Sequence, residues 1–184
     1  MLRPLGKNFK ALPTPDKYGR WAGGIITGKT DAGLGKRILV ALAAYRPPAR
    51  SLTACCLVSR VAMGEKLKTA RQVHEAFYAG LGKLIEDVRR DGPTEFIIQG
   101  DFNAKVVRGV QNTIRPEDKQ LTQWCNLHGL VIVELKEGCA TSTFHANRGR
   151  TEEGLDRQLD IILVSTGLAK LWGKELVKVK AVPG

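Results

Sequence analysis

The sequence predicts an α/β layered fold from three observations. Short apolar runs are bounded by glycine, proline and charge. One long amphipathic stripe lies between two of those runs. At 184 residues and 43% hydrophobic content, the chain is also long enough to bury one sizeable core. No internal repeat or low-complexity linker divides it, so residues 19–184 read as one domain. Residues 1–18 hold three prolines and scattered charge, and are expected to be an irregular basic arm.

The elements follow in order. WAGGIIT and RILVALAAY are apolar runs separated by the glycine-rich, charged segment Gly28–Lys36, which predicts two strands joined by a long hairpin connection; Pro47 and Pro48 stop the second. Leu67, Ala70, Val73, Phe77, Leu81, Leu84 and Val88 recur at steps of three and four with Arg71, Glu75, Lys83 and Asp87 off the stripe. They predict a long helix ended by Asp91, Gly92 and Pro93. Gly80 and Gly82 weaken that helix by about 1 kcal/mol each relative to alanine. EFIIQ follows as a short buried strand, and a second helix is expected from Pro116 to Gly129 with Leu121, Trp124 and Leu127 inward. LVIVEL, STFHA and QLDIILV read as three further strands.

Charge narrows the partners. The 29 Lys and Arg against 18 Asp and Glu give +11, and +6 of it falls before residue 38. Such an excess points to a polyanionic partner such as nucleic acid or a membrane surface, although a solvated basic face is the commoner reason for it. The cysteines Cys55, Cys56, Cys125 and Cys139 have no C-x-x-C spacing and read as reduced thiols in or near the core. No run approaches the roughly 20 apolar residues of a membrane span, and Met1–Phe9 lacks the apolar centre of a signal peptide. An intracellular chain, nuclear or cytoplasmic and not secreted, is the expectation.

Two motifs compete for the chemistry. Gly23–Thr30, GGIITGKT, matches the phosphate-binding loop G-x-x-x-x-G-K-[ST], which would make Gly28, Lys29 and Thr30 nucleotide ligands. Such a loop must leave a buried strand and enter a helix, however, whereas this one follows the polar DKYGR and precedes DAGLGKR. The second motif, FIIQGDFNAKV, places Asp101 at the end of an apolar strand after Gly100, with Asn103 two residues on. A carboxylate there can hold a hard cation or take a proton from water, and an amide can donate to a phosphate oxygen without adding negative charge. Alone, the pair also fits a capped turn.

Read together, four stretches resemble the endonuclease/exonuclease/phosphatase superfamily, closest to the endonuclease domains of non-LTR retrotransposons. They are GRWAGGIITGK with RILVALAAYRPP, FYAGLGKLIEDVRRDGPTEFIIQGDFNAKV, TSTFHANRG, and RQLDIILVS, in the family's order and covering most of Tyr18–Ser165. The resemblance implies a layered β-sandwich of mixed sheets flanked by helices, and a metal-dependent phosphodiester hydrolase acting on nucleic acid, DNA before RNA. It implies that Asp101 orients or deprotonates the attacking water, Asn103 contacts the scissile phosphate, Tyr45 hydrogen-bonds that phosphate or supports the nucleophile, and Asp160 is a metal-side carboxylate. Mg2+ or Mn2+ would be held by Asp101, Asn103 and Asp160. Tyr45 before two prolines also fits a packed strand end, and Asp160 a solvent-facing strand position.

The family's early asparagine and glutamate, the glutamate being its principal metal ligand, have no counterpart; the first glutamate in the chain is Glu65. Its closing Asp-His motif is also missing, and the three histidines do not replace it: His145 has no motif around it, while His74 and His128 fit a helix surface and a helix end. The expectation is therefore an incomplete domain, a fragment or degenerate copy with weak or no activity alone. The alternatives are a non-catalytic basic nucleic-acid-binding module and, less favoured, a nucleotide triphosphatase built on Gly28, Lys29 and Thr30.

Overall fold

The computed structural model describes residues 8–12, 16–29, 36–48, 56–104, 116–134, 160–176 and 178–180. Phe9–Ala11 form β1, Trp21–Lys29 β2 and Lys36–Tyr45 β3. Helices α1, Cys56–Gly64, and α2, Ala70–Arg89, precede β4, Thr94–Asp101. Then come α3, Pro116–Leu127; β5, Leu130–Glu134; β6, Asp160–Ser165; α4, Thr166–Leu176; and β7, Lys178–Lys180. The described strands make one mixed sheet in the order β1-β2-β3-β4-β6-β5-β7, parallel only between β3 and β4. A parallel pair needs a long crossover, and α1 and α2 supply it.

The alternation in β3 decides how the layers meet. Ile38, Val40, Leu42 and Ala44 are buried and join Phe96 and Ile98 of β4 and Phe77, Leu81, Leu84, Ile85 and Val88 of α2 in one core cluster. Side chains of this size each contribute about 1.5–3 kcal/mol on full burial, so the shared face fixes register between helix and sheet. Leu121, Trp124 and Cys125 of α3 enter the same cluster, whereas Leu127, expected to face inward, is exposed at the helix end. A smaller cluster of Val58, Val61 and Ala62 from α1 with Val73 of α2 holds the crossover together.

Thr69 caps α2 by accepting from the Gln72 backbone N–H at 3.2 Å, and the Gln72 side chain returns a bond to the Thr69 N–H. Gly82, costly to the helix in isolation, sits where an added Cβ would meet His128 Nε2 at 2.7 Å. Its missing side chain lets α2 approach the end of α3, which offsets the propensity cost.

Several expectations change. Within the arm expected to be irregular, Phe9–Ala11 pair antiparallel with β2, because the β2 edge offers unpaired backbone groups that a three-residue strand can meet. STFHA, with His145, lies outside the described residues. Cys125 is buried, and burial pushes its thiol up to about 12, while Cys56 is exposed at the start of α1 and does not belong to the core. Cys55 and Cys139 lie outside the described residues. Among the described residues no helix is long and apolar enough to cross a membrane.

Candidate active site

The site begins with register. Tyr45 ends β3 directly opposite Asp101, which ends β4, and Asp101 stands opposite Asp160, the first residue of β6. Residues paired across a ladder project from the same face, with Cβ atoms about 5 Å apart in an antiparallel pair. Tyr45, Asp101 and Asp160 therefore form a row across one edge of the sheet, on the face opposite the one that Val40 and Ile98 bury against α2. Three of the four residues singled out in the sequence are assembled by strand pairing alone.

Gly100 makes the approach possible. Its φ is +152°, and a Cβ there would meet the Ala44 carbonyl oxygen at 1.8 Å, so only glycine fits between β3 and β4 at this point. The chain then turns. Asn103 adopts φ +46°, the left-handed region that asparagine tolerates better than most residues, and its backbone N–H donates to Asp101 Oδ1 at 2.8 Å. Its side-chain Nδ2 donates to the Arg46 carbonyl at 2.7 Å, which sets the plane of the amide. Phe102 and Ala104 on either side are fully buried, so the turn is anchored in the core while Asp101 and Asn103 remain partly accessible.

Electrostatics distinguish the two carboxylates. Burial holds the Asp101 carboxyl above its ordinary range, opposed by the hydrogen bond from the Asn103 backbone; the negative charge of Asp160 adds to the rise and Arg46 counters it. A raised carboxyl is a better proton acceptor at neutral pH than an ordinary aspartate. Asp160 is exposed. Two carboxylates on adjacent strands are hard oxygen donors whose repulsion a cation relieves, and magnesium completes its shell with water when the protein offers few ligands. Among the described residues, no group of three or more His, Cys, Asp or Glu comes together to hold a metal.

Sequence reading missed Arg46. It follows Tyr45, is fully buried, and donates from Nε to the Phe102 carbonyl, from Nη2 to the Asn103 carbonyl at 2.6 Å, and from Nη1 to His74 Nδ1 at 3.1 Å. His74 is thus not a surface residue of α2; it is buried beneath the site, where an arginine removed from water needs acceptors. The only signal was position, since Arg46 separates Tyr45 from Pro47. On the other flank, the Tyr45 N–H donates to the Arg20 carbonyl at 2.6 Å, and the buried Arg20 side chain bonds Asp16 and Glu65, each at 2.9 Å from Nη2. Glu65 is therefore committed to an ion pair at the α1–α2 corner.

His128 follows α3 as expected, but burial lowers its pKa and favours the neutral ring over the cation that the helix end would stabilise. The phosphate-binding-loop match fails on geometry: Gly23–Lys29 are strand residues of β2, paired one for one with β3 from Leu42 back to Lys36. An extended strand cannot wrap its amides around a phosphate. Thr30 lies outside the described residues.

No protein-family model matches the chain, and no curated protein matches it in sequence. Solved structures do match. The 3′ phosphatase NExo from Neisseria, bound to a product DNA hairpin, aligns over 89% of this chain and 60% of its own with a TM-score of 0.54 and 16% identity. The endonuclease domain of TRAS1, a telomere-specific non-LTR retrotransposon, aligns over 90% of this chain and 59% of its own, at 17% identity and a TM-score of 0.49. The comparison with the 3′ phosphatase carries the assignment: the α/β fold with a mixed sheet flanked by helices is of the endonuclease/exonuclease/phosphatase type. The chain spans about 60% of the length of these solved structures.

Proposed function

We propose that this chain carries part of the active site of a metal-dependent phosphodiester hydrolase acting on nucleic acid, with weak activity on its own. The observation that carries the reading is the row Tyr45–Asp101–Asp160 at the ends of three adjacent strands, with Asn103 on the turn that leaves it. The charge of +11 supports a nucleic-acid substrate, and the DNA hairpin bound to a protein of the same fold supports DNA before RNA.

In this reading the Asp101 carboxylate takes a proton from water as the water oxygen forms its bond to phosphorus. The bond from phosphorus to the leaving oxygen breaks, and that oxygen is protonated from solvent. Asn103 donates from its amide to a phosphate oxygen, and the Tyr45 hydroxyl does the same from the neighbouring strand. Burial keeps Asp101 basic, and the charge of Asp160 adds to that effect. Asp101 and Asp160, with the Asn103 amide oxygen, are the donors that would hold Mg2+ or Mn2+, a cation that neutralises charge developing on the phosphate.

The test is nicking of supercoiled plasmid with magnesium or manganese by the chain and by Asp101→Ala. Nicking lost by at least a hundredfold in the variant supports the reading; equal nicking by both, or none by either, sinks it. A second reading is favoured by the small number of acidic ligands among the described residues: a basic module that binds nucleic acid without cutting it. It predicts salt-sensitive DNA binding that Asp101→Ala leaves unchanged, with no nicking.

A further inference from the structure

We propose that Arg46 is the positioning residue of this site: its guanidinium holds the Asp101–Asn103 turn in the shape that the reaction uses. The role rests on the hydrolase reading above, whereas the geometry stands apart from it. Arg46 is 0% exposed, so its donors find protein acceptors or none. The Arg46 N–H donates to the Asp101 carbonyl at 2.8 Å, Nε to the Phe102 carbonyl and Nη2 to the Asn103 carbonyl at 2.6 Å, and the Arg46 carbonyl accepts from Asn103 Nδ2 at 2.7 Å. Every residue of the turn is bonded to residue 46.

The remaining arm explains the depth of His74. Nη1 donates to His74 Nδ1 at 3.1 Å, so the ring carries its hydrogen on Nε2, which donates to the Pro47 carbonyl at 2.9 Å. One chain of bonds thus runs from the end of β3 through α2 to the turn. Strand pairing delivers Asp101 to the edge of the sheet, but nothing in a ladder dictates φ +46° at Asn103. The planar fork, gripping two successive carbonyls, supplies that constraint, and one N–H of the Asn103 amide is used by the clasp while the other is left to meet a phosphate. Lysine has the charge without the fork and cannot span both carbonyls.

Arg46→Lys tests this. Kinetics of plasmid nicking give kcat and KM separately, and hydrogen exchange followed by NMR reads the Asn103 backbone and side-chain amides without requiring activity. The expected result is a fall of at least tenfold in kcat with KM within twofold, and exchange at Asn103 at least tenfold faster while the interior amides of α2 and β3 keep their protection. A folded variant with kcat within twofold and unchanged exchange at Asn103 overturns the proposal. If the unsubstituted chain nicks nothing, the hydrolase reading fails and the exchange measurement alone decides the clasp. If Arg46→Lys does not fold, His74→Gln is read the same way: exchange at Asn103 at least threefold faster supports the clasp, and unchanged exchange overturns it.

Discussion

Two glycine-bearing motifs in this chain, GGIITGKT and GDFNA, each match a functional pattern, the second in the better sequence context, and the structure treats them oppositely. Gly28 lies in β2 opposite Arg37, with open space where a Cβ would be. Gly100 lies in β4 opposite Ala44, whose carbonyl occupies that place. The first glycine is an ordinary strand residue, and the second is required by the backbone. A motif acquires meaning when the chain around it creates a position that only those residues can fill, and a string match does not contain that information.

The contrast can be broken most forcefully at the glycines. Gly100→Ala forces a methyl onto the Ala44 carbonyl, and should destabilise the fold by about 3 kcal/mol or more, read by urea denaturation. Gly28→Ala should be neutral or stabilising by up to about 1 kcal/mol, since alanine reduces the entropy of the unfolded chain and meets nothing in the folded one. Equal losses from the two would erase the distinction.

Asn103→Ala is the next largest effect. It removes the amide that bonds the Arg46 carbonyl and places alanine at φ +46°, with an expected cost of about 1–2 kcal/mol and a tenfold or greater loss of nicking. The matching change in the other motif, Lys29→Ala, should leave nicking within about twofold and reveal no ATP binding to lose; measurable ATP binding by the unsubstituted chain would revive the phosphate-loop reading.

Asp101→Asn should give the smallest stability change. A carboxyl whose pKa is raised on folding costs nothing below the unfolded value, where it is protonated in both states. It destabilises the fold increasingly as pH rises through the folded value. Asparagine removes that cost, so the variant should be more stable at pH 7 by about 0.5 kcal/mol, the gain being small because the group is half exposed and screened. The gain should vanish below the ordinary carboxylate range. A variant less stable than its parent at pH 7 would show that the ionised Asp101 is stabilised by its surroundings.

Much of this architecture was legible because it is local or periodic. The α2 stripe, the β3 run stopped by Pro47 and Pro48, and the apolar strand leading to Asp101 each follow from residue spacing, whereas Tyr45 and Asp160 became candidates through the family resemblance. What was illegible is held from a distance. Helix α4 carries Gly167 and Gly173, and Ser165 at its start donates its hydroxyl to Glu95 of β4, which also accepts from the Leu168 N–H at 3.0 Å and so closes the helix's amino terminus. The residues at the two ends of these contacts are 70 and 73 positions apart. Arg46 and His74 were missed for the same reason: a buried arginine looks like a surface arginine until its acceptors, at positions 74, 102 and 103, are brought to it.

The clasp at Arg46 has a consequence for descent. Because one buried cation secures the turn, and the turn's flanking Phe102 and Ala104 belong to the core, a lineage that abandoned hydrolysis would still be under selection to keep the glycine, the asparagine and the arginine for the sake of folding. Asp160 would be released to drift first, because the Asp101 carboxylate still accepts from the Asn103 N–H within the turn. Relatives of this chain that cut nucleic acid and relatives that only bind it should therefore differ at position 160 before position 101, and agree at 46, 100 and 103.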